Sequence, residues 1–277
     1  MSDKVTVLKG LAIKDLTKTQ QKNKLDLQEW NSGSQLLLDC VNALSDPLIV
    51  EVGVWKGGSS IKIAELLAKK KSGGVVVAID TFLGSSEHYL QPELTESVGV
   101  GPEDQLKLLR TFLDNIVAKG LQDWIIPLPL DSQSGFELLG RRGLLVDLVH
   151  IDAGHQYFPV FMDLISGWGL LQDGGYMVCD DYNKSWPTVI AAVDDFLKNI
   201  DYFDFRADGL KCSFRKSVGN SIDANIGSML ASHNASASDI YRTQIVQLNR
   251  TLRLIEASVS WRLTKPLRKI RTRFRRI

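Results

Sequence analysis

Between Leu48 and Asn199 short β-branched runs and stretches of helical periodicity alternate five times. The runs are LIVEVGV (from Leu48), VVVAID (Val75–Asp80), IIPLPL (ending at Leu130), VDLVHID (Val146–Asp152) and YMVCDDY (from Tyr176). Each is too short to be a helix and too uniformly apolar to be a half-exposed strand, so each reads as a strand buried on both faces. The intervening helical stretches are Ser59–Lys70, Pro102–Lys119, Ser132–Leu139, Val160–Leu171 and Thr188–Asn199. Gly174 and Gly175 are expected to close the fourth of these. Two further strands, Tyr202–Arg206 and Lys211–Arg215, flank the turn Asp208-Gly209. Strand–helix alternation gives parallel strands with helices on both faces, and a closing hairpin adds an antiparallel one. The expected fold is therefore α/β: a doubly wound, Rossmann-like, seven-stranded and mostly parallel sheet with one antiparallel strand, followed by a C-terminal helical tail.

In such sheets ligands bind beyond the carboxyl ends of the strands, near the reversal of strand order. The chemistry-bearing residues of this chain fall at those ends. Glu51-Val-Gly-Val-Trp-Lys-Gly-Gly-Ser59 joins the first strand to the first helix. Gly53 allows a tight turn beside a ligand, and Gly57 and Gly58 clear side chains from a helix start whose amides attract anions. The spacing is G-x-x-x-G-G, which is neither the dinucleotide fingerprint nor a phosphate-binding loop with its Lys-Ser/Thr pair. A plain glycine turn is the structural alternative. Asp80 ends the second strand, where a carboxylate can accept both hydroxyls of a ribose, or can cap a helix. Asp131 and Ser132 end the third, in reach of an adenine or as helix caps.

Asp152 ends the fourth strand, and Asp180 and Asp181 end the fifth. Adjacent strand ends lie about 5 Å apart, so the three carboxylates can converge. Three close anions repel, and a hard divalent cation resolves the conflict; oxygen ligands favour Mg²⁺ or Ca²⁺ over zinc. The alternative is that one Asp caps a helix and another meets an Arg. His155 lies three residues past Asp152 and is a candidate base near neutral pH. His150, within the strand, reads as core packing. His88 is placed at the mouth of the site. Trp186, Tyr157 and Tyr182 are candidates for an apolar wall over the reacting group.

The motifs EVGVWKGGSS (from Glu51), IDTFLGSSEH (from Ile79), HIDAGHQY (from His150) and DGGYMVCDDY (from Asp173) resemble those of class I S-adenosylmethionine-dependent methyltransferases. The likeness runs from about Leu48 to Lys216. It is closest to the bacterial group that modifies sugars and other hydroxylated metabolites. The resemblance implies that Glu51, Gly53, Gly57 and Ser59 cradle the methionine part of the cofactor, that Asp80 holds its ribose, and that Asp131 and Ser132 lie near adenine. It also resembles the catechol-type O-methyltransferases, which hold a metal with an acid after strand four and an acid–amide pair after strand five. Here Asp181 stands where the amide would be. That likeness implies metal ligation by Asp152, Asp180 and Asp181, with Asp152 and His155 in catalytic positions. The expected activity is methyl transfer to a hydroxyl of a sugar, glycan intermediate or similar polar metabolite, assisted by Mg²⁺ or another divalent cation. A non-catalytic scaffold that keeps this fold within a polysaccharide-assembly complex is the competing expectation.

Charge divides the chain. From Arg242 to Ile277 there are eleven Lys and Arg against one acid, Glu256, so this tail carries +10 and the rest, given a total of +1, carries −9. The expected organisation is an N-terminal helical segment (1–46), the methyltransferase domain (47–217), a Ser/Asn/Ala-rich linker (218–238) and an amphipathic, coiled-coil-like basic tail (239–277). Tyr241, Ile245, Leu248, Leu252, Ile255 and Val259 recur in steps of four and three, a short heptad seam for a homo-oligomer or a glycosyltransferase partner. SVSWRLTKPLR (from Ser258) resembles a tail found at the ends of bacterial surface-polysaccharide glycosyltransferases. KPLRKIRTRFRRI mixes cations with Leu267, Ile270 and Phe274, which suits an anionic membrane surface; it has no aromatic stacking pattern to favour nucleic acid. Three separated cysteines, the absence of a leader-like start and the lack of a long apolar run point to a cytoplasmic protein, peripheral at the inner membrane face.

Overall fold

The computed structural model describes residues 24–28, 34–99, 104 and 106–219. The expectations for the tail beyond Gly219, for most of the linker and for residues 102, 103 and 105 of the second helical stretch lie outside these residues. In chain order the described elements are α1 (Gln35–Asn42), β1 (Leu48–Val52), α2 (Gly58–Lys69), β2 (Val75–Ile79), α3 (Ser86–Leu90) and α4 (Pro92–Val98). There follow α5 (Lys107–Lys119), β3 (Ile125–Leu128), α6 (Ser132–Arg141), β4 (Val146–Ile151), α7 (Tyr157–Leu170), β5 (Leu171–Cys179), α8 (Pro187–Leu197), β6 (Tyr202–Ala207) and β7 (Cys212–Lys216).

The seven strands form one sheet in the order β3-β2-β1-β4-β5-β7-β6. β1 through β5 run parallel to one another, and β7 runs antiparallel between β5 and β6. The order reverses between β1 and β4, which places the switch point beside Gly53 and Asp152. On one face Ile49, Val76, Leu148 and Val178 pack against Leu37 and Val41 of α1 and Ile63 and Leu67 of α2. On the other face Trp168 of α7 meets Phe196 of α8 edge-on, with ring centroids 5.7 Å apart, and lies the same distance from Phe214 of β7. The three cysteines are free and buried, as core residues.

Local differences from the sequence expectation have simple causes. β5 begins at Leu171, directly after α7, so Gly174 and Gly175 lie inside the strand rather than closing the helix. They sit opposite a register shift between Val146 and Leu148, where β4 and β5 bulge apart. Pro127 is tolerated because β3 is the edge of the sheet. The segment around Pro92 holds α3 and α4; Ser85 and His88 form a reciprocal cap at the start of α3. Among the described residues no helix is long and apolar enough to cross a membrane.

Candidate active site

A cavity of about 650 Å³ opens over the carboxyl ends of β1, β2, β4 and β5. Its wall gathers Gly53, Ser59, Asp80, Asp131, Ser132, Asp152, His155, Asp180 and Asp181, which the sequence scatters over 129 positions. Glu51 and Gly57 do not reach the wall.

Gly53 has φ +79°, and a Cβ there would lie 2.1 Å from the Asp152 carbonyl oxygen. Only a bare backbone lets the β1 turn approach the end of β4 this closely. Gly57, at φ +92°, sets the N-cap of α2, whereas Gly58 and Ser59 face the cavity. α2 starts with no side-chain cap and no acid in its first turn, so its free amides are available to an anion. Glu51 is fully buried below them. It accepts hydrogen bonds from the hydroxyls of Ser59 and Ser60 and from Nδ1 of His150, its register partner on β4, at 3.0 Å. Burial raises the Glu51 pKa, but these donors outweigh it and hold the carboxyl below its ordinary value. Glu51 thus braces the cradle from beneath instead of touching a ligand.

Asp80 shapes the same turn. Its Oδ2 accepts from the amides of Val54 and Trp55 at 2.9 and 3.0 Å, and its Oδ1 from Phe82 at 2.7 Å. Burial still lifts its pKa above the usual carboxylate value. Asp131 caps α6 through the Ser134 amide at 2.9 Å while remaining on the cavity wall. The Ser132 hydroxyl donates to Asp163 of α7 at 2.5 Å, and Gln133 donates to the same oxygen at 2.8 Å. Burial raises the Asp163 pKa to about 6 despite these two donors.

Oxygen atoms of Asp152, Asp180 and Asp181 lie within 4.8 Å of one another. Behind them sits Lys211, fully buried at the start of β7, in an ion pair with Asp180 and 3.4 Å from Nε2 of His150. The second Asp180 oxygen accepts the Asp181 amide at 2.7 Å. A continuous buried chain therefore runs from Ser59 through Glu51, His150 and Lys211 to Asp180. With Nδ1 of His150 donating to Glu51, Nε2 is left to accept from the lysine. Burial drives the Asp152 carboxyl well above its ordinary pKa, and the Asp180 charge adds to this more than Lys211 relieves it. Asp181 holds a left-handed φ of +56°, which Asp and Asn tolerate better than other side chains.

His155 is clamped at both nitrogens: Nδ1 meets Glu87 of α3 at 2.7 Å, and Nε2 meets Asp181 at 2.8 Å. Burial lowers its pKa, but the two carboxylates more than offset this and raise it. Two acceptors require two N–H donors, so the ring is held as imidazolium in this arrangement. Trp186 stacks on it, with centroids 3.7 Å apart and planes 12° apart, and also lines the cavity. Tyr157 and Tyr182 form no such wall: their hydroxyls donate to Asp195 and Asp194 of α8, and neither lines the cavity. At the opposite lip Trp55 stacks on His88 at 4.2 Å and donates through Nε1 to Gln28.

Residues 50–182 match the family model described as a methyltransferase domain. The matched stretch, 133 of the 277 residues, is similar to a methyltransferase domain. It is 27% identical over 172 residues to the uncharacterized protein R132 of Acanthamoeba polyphaga mimivirus, covering 60% of this chain and 68% of that one. Among solved structures it is similar to the O-methyltransferase NovP, at 20% identity and TM-score 0.46, over 66% of this chain and 78% of that one. It is also similar to an O-methyltransferase from Bacillus cereus in complex with SAH, at 14% identity and TM-score 0.47, over 78% and 92% of the two chains.

Sequence reasoning missed several residues of the candidate site. Lys211 follows a polar hairpin turn and reads as a surface lysine; only the antiparallel insertion of β7 between β5 and β6 carries it under the acids. Glu87 was adjacent to a residue placed at the mouth, and nothing in its spacing singles it out as the partner of His155. Asp163 sits on a helix whose apolar periodicity hides one inward-facing acid.

Proposed function

We propose that this domain transfers the methyl group of S-adenosylmethionine to a hydroxyl of a sugar, glycan intermediate or similar polar metabolite, with a divalent cation assisting. The observation that supports it is the gathering, on one cavity wall, of a glycine turn with an open helix start, a ribose-height carboxylate and a cluster of acids. Gly53, Gly58 and Ser59 would seat the methionine end, Asp80 the ribose, and Asp131 and Ser132 the adenine. The oxygens of Asp152, Asp180 and Asp181, within 4.8 Å of one another, are a donor set that fits a hard divalent cation; Lys211 behind Asp180 and the His155 ring beside Asp181 offset part of their charge. Those three residues would hold the cation, which when bound supplies an electrophile that acidifies an acceptor hydroxyl.

The chain's own groups account for positioning and proton transfer. A hydroxyl entering between His155 and Asp181 replaces their contact and gives its proton to the Asp181 carboxylate, or to Nε2 of His155 once that nitrogen has passed its own proton to Asp181. As the oxygen–carbon bond to the methyl forms, the carbon–sulfur bond breaks and its electron pair stays on sulfur, giving S-adenosylhomocysteine. No covalent enzyme intermediate is required, so alignment carries the rate. The direct test is calorimetry with S-adenosylmethionine, followed by mass spectrometry of cell-envelope glycans with and without the gene. The expected result is cofactor binding and the loss of one CH₂ per modified sugar in the deletion. No cofactor binding at millimolar concentration would favour a non-catalytic scaffold. Methyl transfer unchanged after exhaustive chelation would remove the cation from the proposal.

A further inference from the structure

We infer that the part of the acceptor entering this cavity carries no phosphate or carboxylate: it is an uncharged or amine-bearing polyol. The inference deepens the methyl-transfer proposal and rests on it.

Seven carboxyl groups line the cavity, and among the described residues no Lys or Arg does. The acceptor half is walled by Glu87, Asp152, Asp180 and Asp181. Among the described residues each nearby cation is already committed. Lys211 has no exposed surface and is paired with Asp180 from behind. Lys56 is buried and bound to Asp26 at 2.7 Å. His155 spends both ring nitrogens on carboxylates. His88 accepts the Ser85 amide at Nδ1, so that nitrogen has no proton to offer, and burial lowers its pKa.

A carboxylate accepts hydrogen bonds and donates none. A wall built of carboxylates therefore needs a ligand rich in donors. Sugar hydroxyls and ammonium groups supply them, whereas an ionised phosphate has none and adds like charge at close range. The aromatic surface agrees. Trp186 lies along the wall, held flat by its stack on His155, and can receive the C–H face of a sugar ring. A divalent cation bound at the acids would bring the local charge near neutral without leaving a cationic side chain to receive a phosphate.

The test uses the full chain and methyl-labelled S-adenosylmethionine. Low-molecular-weight polar metabolites and released glycans from cell envelopes are separated by ion exchange into neutral, cationic and anionic pools. Each pool is incubated with the protein, once in chelator and once in magnesium, and cofactor binding is measured in the same samples. Label is expected in the neutral or cationic pool, with incorporation into the anionic pool lower by about tenfold or more. Phosphatase treatment of the anionic pool should raise its labelling. Trp186→Ala should raise KM for the labelled acceptor with the cofactor Kd unchanged. Label concentrated in the anionic pool, even only with magnesium present, overturns the inference and leaves methyl transfer standing. No label in any pool with cofactor bound overturns methyl transfer and the inference with it.

Discussion

Replacing Lys211 with Met should be the most damaging single change at a residue that does not itself line the cavity. The long apolar stem is retained in volume, so the loss is the ammonium alone. Lys211 has no exposed surface, and its partner Asp180 is 6% exposed, so water cannot replace the missing charge. Removing one partner of a buried ion pair costs about 3–5 kcal/mol, because the other is left uncompensated in a poorly solvated site. Here Asp152 and Glu51 lie near the same ammonium and lose its field as well. In a domain of this size ~1 kcal/mol moves the midpoint by roughly 2–4 °C, so Tm should fall by roughly 6–20 °C. Thermal and urea unfolding of the full chain read this directly. Adding Asp180→Asn to Lys211→Met removes the stranded charge, so the double variant should be more stable than the sum of the single losses by at least ~1 kcal/mol. A fall of less than ~2 °C for Lys211→Met, or strict additivity in the cycle, would show that the pair holds nothing in place.

Two further outcomes follow from the geometry. Gly53→Ala should destabilise by roughly 2–4 kcal/mol, since the new Cβ would lie 2.1 Å from the Asp152 carbonyl at a left-handed φ; urea unfolding measures it, and a loss under ~1 kcal/mol would mean that the two strand ends are free to part. Asp163 has a folded pKa of about 6 against an ordinary value of 3.8, so its contribution to stability is fully present below pH ~4 and is lost as pH rises through ~6, about 3 kcal/mol in all. Asp163→Asn keeps an oxygen to accept from Ser132 and Gln133 without this ionisation, so its stability relative to the native chain should rise between pH 4.5 and 7.5 in paired urea titrations; an unchanged difference would mean that Asp163 is not charged against its surroundings.

The parallel sheet was legible because burial on both faces leaves an unmistakable run of Val, Ile and Leu, and because strand ends marked by Gly or Asp stand out against those runs. Gly53, Asp80, Asp152, Asp180 and Asp181 are accordingly expected on one rim from those runs alone. What could not be read was the direction in which a side chain at such an end points. Glu51 has the same alternation as Ile49, so it faces α2 and not the ligand side. Tyr182 follows Asp181 and Tyr157 lies two residues past His155 in sequence, yet both turn to α8. Lys211 required knowing that the last hairpin folds back with β7 inside and β6 outside, a fact of strand order that no local pattern encodes.

That strand order also explains how the site tolerates its own charge. An acid cluster assembled only from β4 and β5 would have to protonate or wait for a cation. Inserting β7 beside β5 brings the residue just before Cys212 under Asp180, and β1 beside β4 brings Glu51 under His150. The lysine and the histidine then join these two halves through one hydrogen-bonded chain. The serine hydroxyls that shape the start of α2 are thereby connected to the carboxylates that face the acceptor. In the proposed function, seating of the cofactor's charged end and the orientation of Asp180 share the same buried partners, so a change at either end is felt at the other. Lys211→Met should for this reason weaken S-adenosylmethionine binding although Lys211 does not itself line the cavity, and unaltered affinity in a variant that remains folded would show the two halves to be independent.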